Sequence, residues 1–192
     1  MAPIVNPTVT DPNTGALIRT GDIIPASAID PRSGQLYVVW QDSSFTSNAS
    51  LKKGVVQVAF STSADGGATW SAPKPISTPT GQPAFTPTIN VNSSGVVGVT
   101  YYDFRNLQAT NATTLPTDYW FINSTDHGVS FGNEAHVAGS FDMLTAPFAR
   151  GFFVGDYEGM AAVGATFRPL FVQTNSGNTA NRTDVFSTSV AP

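Results

Sequence analysis

The sequence predicts an all-β fold of the β-propeller class, built from about three four-stranded blades, and two internal matches with one composition bias predict it. "SGQLYVVWQD" (33–42) aligns with "SGVVGVTYYD" (94–103) at a shift of 61, and "FSTSADGGATW" (60–70) aligns with "FINSTDHGVSF" (121–131) at the same shift. Two distant segments sharing one offset indicate a structural repeat. A third copy begins at "MAAVGATFRPLFVQT" (160–174) and reaches "FSTSVAP" (186–192). Charged residues are only 11% of the chain, Glu occurs only at Glu134 and Glu158, and Ser, Thr, Asn, Gly and Pro are abundant. That bias favours strands and turns over helices and fits an extracellular or cell-surface β protein.

Each unit reads as four short strands separated by turn residues. In the first unit strand A falls near 26–30, B at 36–41, C at 55–62 and D at 70–76, with "DPRSG", "SSFTSNASLKKG" and "ADGGA" between them. The second repeats this near 86–91, 96–102, 118–124 and 131–137. The third supplies A, B and C but no D. Residues 3–9, "PIVNPTV", are strand-compatible and are expected to complete it, with Pro3 and Pro7 confining them to an edge. The 192 residues make a single partial domain with units of 21–80, 81–139 and 150–192. Propellers close with about four to eight blades. Three blades are half of a six-bladed ring, so either N-terminal blades are missing or a homodimer closes it.

Both C-to-D junctions read Ser-x-Asp-x-Gly-x-x-aromatic: Ser63, Asp65, Gly67 and Trp70, then Ser124, Asp126, Gly128 and Phe131. The carboxylate accepts turn amides, the glycine takes a backbone angle other residues resist, and the aromatic packs on the blade. A turn that satisfies its own carboxylate leaves little for a substrate, so these residues are structural. The motif resembles the Asp box, or bacterial neuraminidase repeat, of sialidase-like propellers. "LYVVWQD", "VTYYDFRN" and "FFVGDYEGMAA" are similar to segments of secreted exo-alpha-sialidase-like proteins. The resemblance implies a sialidase-like fold and a glycan ligand of the sialic-acid type, bound on one face over the central axis.

Alternating strand direction places the D-to-A and B-to-C loops on that face. It gathers Arg19, Asp22, Asp42, Asp103, Arg105, Arg150, Asp156, Tyr157, Glu158 and Arg182. By the resemblance, a sialidase needs an arginine clamp for the substrate carboxylate, a tyrosine nucleophile activated by a glutamate, and an aspartate acid/base. "GDYEG" (155–159) offers the candidate catalytic Asp156, Tyr157 and Glu158, although neighbouring side chains at a strand start point apart. Arg105, Arg150, Asp103, Arg19 and Arg182 are the candidate substrate-binding residues. Asp103 recurs as Asp42, which favours a structural role. Arg105 faces Ser44 in the alignment, which favours a functional one, or else an ion pair with Asp103 that stiffens the loop. "FRPL" (167–170) lies in an A-to-B loop on the opposite face and is set aside.

Other classes are disfavoured. Nine Lys plus Arg against thirteen Asp plus Glu, with no basic run, argue against nucleic acid. No apolar stretch reaches membrane-span length, and "MAPIVNP" has no signal-peptide pattern, so any export signal lies outside this sequence. Without cysteine there is neither a disulfide nor a thiolate metal site. Five sequons, at Asn48, Asn92, Asn111, Asn123 and Asn181, are expected by chance in such a composition. No cofactor is indicated. Ca²⁺ is compatible with such folds, but no loop carries alternating oxygen ligands. Two rival readings stay open beside the glycoside one: a non-catalytic carbohydrate-binding module, and a structural subunit of an extracellular assembly.

Overall fold

The computed structural model describes residues 4–5, 7–46, 54–78, 81–175 and 177–192. Pro3 and the sequon at Asn48 lie outside them. The strands, in chain order, are β1 (Val9–Thr10), β2 (Leu17–Arg19), β3 (Ala26–Ile29), β4 (Leu36–Asp42), β5 (Gln57–Ser63), β6 (Lys74–Pro75), β7 (Ala84–Val91), β8 (Val97–Asp103), β9 (Pro116–Ser124), β10 (Gly132–Asp142), β11 (Phe152–Phe153), β12 (Gly159–Val163), β13 (Thr166–Thr174) and β14 (Thr183–Ser187). One 3₁₀ turn, Met143–Thr145, follows β10, and no α-helix occurs among the described residues.

Three antiparallel sheets are blades: β3-β4-β5-β6, then β7-β8-β9-β10, then β12-β13-β14. Tyr37, Val39 and Phe60 of blade one pack on Val97, Val99 and Tyr101 of blade two. The opposite face of blade two meets blade three through Phe121 on Phe167, ring centroids 5.3 Å apart, and Tyr119 on Phe171, 4.6 Å apart. Gly98 permits this approach: a Cβ there would lie 2.7 Å from the Phe121 ring and 2.8 Å from Phe167. Alternation along each strand therefore gives every blade two faces that pack on different neighbours.

Blade one's outer strand is shorter than 70–76. Only Lys74–Pro75 pairs with β5, because Pro73 and Pro75 have no N–H to donate. Ser71 and Ile76 still donate to Thr62 and Val58 on either side.

The described part of 3–9, residues 4–5 and 7–9, does not complete the third blade, contrary to expectation. The Val5 N–H donates to Asp42 and its carbonyl accepts from Ser43, both at the end of β4, while Val9 pairs with Ile18. Val9 and Ile18 are buried in the core with Phe85, Tyr102 and Phe171, which the edge of β14 does not offer them.

β1, β2 and β11 form a fourth, small sheet, with β11 parallel to β2. The β1–β2 turn has the geometry of the blades' own A-to-B turns. Asp11 accepts from the Asn13 amide and the Thr14 hydroxyl, as Asp30 does from Arg32 and Ser33. Asn92 accepts from the Ser94 and Val96 amides in the corresponding turn of blade two.

Candidate functional site

Two charged groups lie at the blade ends carrying the B-to-C and D-to-A connections. In the first, β2 delivers Arg19 beside the loop leading into β12. Gly21 allows the approach, since a Cβ there would lie 2.0 Å from the Asp156 carbonyl oxygen. The Arg19 guanidinium grips Asp156 with both arms, Nη2 to Oδ2 at 2.9 Å and Nε to Oδ1 at 3.3 Å, and stacks 4.2 Å from the Phe153 ring centroid. The pair is only partly buried, with side chains 37% and 30% exposed. The loop before it is held by a polar chain: Thr20 donates to Asp22, and Gln41 donates to Thr20 while accepting the Thr86 amide.

Glu158, two residues past Asp156, points inward. Its Oε1 lies 3.0 Å from the Tyr102 hydroxyl, which also lies 2.8 Å from the Val172 carbonyl and accepts the Val172 amide at 2.9 Å. The hydroxyl has one proton for two oxygen neighbours. Burial pushes Glu158 up to about 8, only partly offset by the Tyr102 hydrogen bond. Burial first, and the Glu158 charge second, raise Tyr102 well above the usual phenol range. The chain thus places a carboxyl whose charge burial disfavours two residues from the Arg19–Asp156 pair.

The second group sits on blade two. Arg105 Nε donates to Asp103 at 2.7 Å, Nη1 and Nη2 donate to Glu134 at 2.6 and 2.9 Å, and Nη2 also reaches the Thr78 carbonyl. Its guanidinium lies 3.6 Å from the Trp120 ring centroid. The Tyr101 hydroxyl donates to Glu134, and burial lifts that phenol far above its ordinary range. Burial also raises Asp103 against the pull of Arg105. Beyond Trp120, His136 Nε2 stands 2.8 Å from Asp118 Oδ1, and Asn106 and Ser140 also donate to that buried carboxylate.

The structure divides the sequence candidates. It pairs Arg19 with Asp156 and sets Glu158, two residues on, against the Tyr102 hydroxyl. Tyr157 diverges from Glu158 and is 76% exposed, as strand alternation requires. Arg105 and Asp103 belong to the separate blade-two group, where Arg105 is spent on protein acceptors. Arg150 is exposed with a φ of 66°, and Arg182 donates to the Thr145 carbonyl at 3.2 Å, so neither bonds into the Arg19 group. Asp42 accepts the Trp40 indole and Asp103 the Trp120 indole, a shared structural role. Tyr102 as the partner of Glu158, and Glu134, His136 and Asp118 in the blade-two group, go unrecognised as site residues in the sequence. The Glu134-x-His136 spacing on one strand face was the available signal for two of them.

The turns at 63–70 and 124–131 are built alike. Asp65 accepts the Thr69 amide at 2.9 Å and the Ser63 hydroxyl at 2.8 Å, and Ser63 accepts the Gly67 amide at 2.9 Å. Asp126 does the same with Ser130 and Ser124, and Ser124 with Gly128. Hydrogen bonds from Thr69 and Ser63 hold Asp65 down to about 2. Neither carboxylate is left for a substrate. Among the described residues no group of three His, Cys, Asp or Glu could hold a metal ion, and no helix is long and apolar enough to cross a membrane.

No family model and no curated protein matches the chain. Solved structures do. A Hadza microbial sialidase aligns over 85% of this chain with a TM-score of 0.50 and 14% identity. A glycoside hydrolase family 43 protein retrieved from capybara gut metagenome aligns over 95% with a TM-score of 0.52 and 11% identity. The chain spans 30% of the length of each. At such identities the likeness is one of fold. The described residues form part of a β-propeller like those of the two structures.

Proposed function

We propose that this propeller recognises glycosides at the Arg19–Asp156–Glu158 group and, in its complete ring, hydrolyses them. The observation that carries the reading is Glu158, a partly buried carboxyl held on the Tyr102 hydroxyl and pushed up to about 8 by burial, two residues from the Asp156 carboxylate that pairs with Arg19. An acid of raised pKa next to a second carboxylate is the equipment of glycosidic bond cleavage: one group protonates the leaving oxygen while the other stabilises or attacks the sugar. Arg19 supplies the cation for a carboxylated sugar, which fits sialic-acid-type glycans, and releasing Asp156 would free it to bind one. The names of the two solved structures support carbohydrate as the ligand class. The Ser-x-Asp-x-Gly turns are read as Asp boxes, and the protein as secreted or displayed at the cell surface. The ring is completed by blades beyond these three.

Binding of a panel of sialosides and neutral glycosides tests the reading, with wild type compared to Arg19→Ala and Glu158→Gln. Binding that Arg19→Ala removes and Glu158→Gln keeps supports it. Preference for sialosides supports the finer substrate class. No binding to any member overturns the assignment.

A second reading, a carbohydrate-binding module without catalysis, is favoured by one observation: Arg105 is fully engaged by Asp103, Glu134 and Thr78, which leaves Arg19 to meet an anionic sugar without a second engaged guanidinium from blade two. Hydrolysis that falls in Glu158→Gln by about 10² or more separates the two.

A further inference from the structure

The blade repeat makes the two end faces of the series complementary. Blade one buries Tyr37, Val39 and Phe60 against blade two, so alternation turns Leu36, Val38 and Trp40 the other way. The shift of 61 superposes these three on Val97, Val99 and Tyr101, the surface that blade one itself covers on blade two. In blade one this surface is only partly covered: Trp40 is buried, while Leu36 and Val38 are partly exposed in two grooves of about 520 and 730 Å³, the first also lined by Ile4 and Trp70.

Blade three ends in the opposite type of surface. Phe167 and Phe171 face blade two, which turns Leu170 outward, with Val185 exposed on the neighbouring strand, paired with the partly buried Val172. Register by register, Leu170 takes the place of Val39 and Val185 the place of Val58, both buried in the contact between blades one and two, while Arg168 and Ser187 stand at the places of Tyr37 and Phe60. Here they lie bare, Leu170 at 48% and Val185 at 69% exposure. Blade three therefore presents an exposed apolar centre, Leu170 and Val185, at the register positions that blade one seats on blade two. The two stand at opposite ends of one chain's blade series.

We propose that two copies of this chain associate head to tail, with blade three of each seated on blade one of the other. The contact continues an interface the chain already makes between its own blades. Made reciprocally, it closes on itself instead of growing into a filament. Glycan recognition is not assumed by this inference.

The test is solution mass by light scattering coupled to size exclusion across a dilution series, for wild type, Leu170→Asp and Val185→Asp. Both positions are solvent-exposed in the single chain, so far-UV circular dichroism should match wild type. The expected result is twice the chain mass for wild type and half that value for both variants. A wild-type mass of one chain at every concentration overturns the proposal. So does a dimer that both substitutions leave intact, or an open ladder of larger assemblies.

Discussion

Glu158 and Arg105 show how a single side chain's surroundings decide its chemistry. Glu158 is pushed up to about 8 by burial, while an unfolded chain returns it to its ordinary value near 4.5. Between those values the folded protein holds a proton the unfolded chain releases, so the stability present at low pH falls as pH rises through about 8. Glu158→Gln should abolish that decline, which thermal melts at pH 5 and pH 9 would show as a smaller difference than in wild type. Asp65 has the opposite sign: held near 2, it contributes stability above the ordinary carboxylate range that is lost as pH falls towards 2. Asp65→Ala should lower Tm at neutral pH and narrow the gap to acid. Arg105→Ala strands the buried Asp103 and the Glu134 carboxylate, and breaking such a partly buried network costs about 3–5 kcal/mol. Urea unfolding of that variant measures the loss. The sequence leaves Arg105 between a ligand and an ion pair with Asp103 that stiffens the loop, and the ion pair forms. Its further partner Glu134 lies across two strands, a distance no local spacing reveals.

Among the elements, the strands were the legible part, because apolar alternation and the turn residues both mark them. Strand β4 at 36–42 sits within one residue of its expected 36–41, and β10 runs to Asp142 where only 131–137 was expected. The extension carries register shifts at His136/Ala138 and Ala138/Phe141, which blur a two-residue period. The sheet of β1, β2 and β11 went unread because its strands are two or three residues long. Its turn, "DPNTG" at 11–15, nevertheless matches "DPRSG" at 30–34. At the contact between blades two and three, Gly98→Val places atoms where Phe121 and Phe167 already stand. Overpacking of this kind costs about 1–3 kcal/mol, and the shift in urea midpoint reads it. The same change at the exposed, open Gly132 serves as the control, where no atom lies within 4 Å of the added Cβ.

For the whole molecule, the repeat in the sequence carries the architecture, and the blade faces follow from it by alternation alone. Which axial residues converge did not follow, because Arg19 and Asp156 are 137 positions apart and meet through a parallel strand pair, β2 with β11. If two chains complete one another, Tm should rise with protein concentration, since association stabilises the folded form by mass action. Leu170→Asp should remove that dependence, and differential scanning calorimetry over a range of concentrations would register it.

The β1–β2 turn and the A-to-B turns of blades one and two each carry their own fastening side chain, Asp11, Asp30 and Asn92, bonded within a few residues along the chain. A hairpin so equipped needs no distant partner to begin forming, and loop closure over so short a span has little entropic cost. Folding can therefore start at several places along the chain, with the slow step left to the docking of preformed hairpins against each other. Kinetics of this kind place the rate limit at the glycine-lined seams between blades, and leave the turns themselves to set how many nuclei compete.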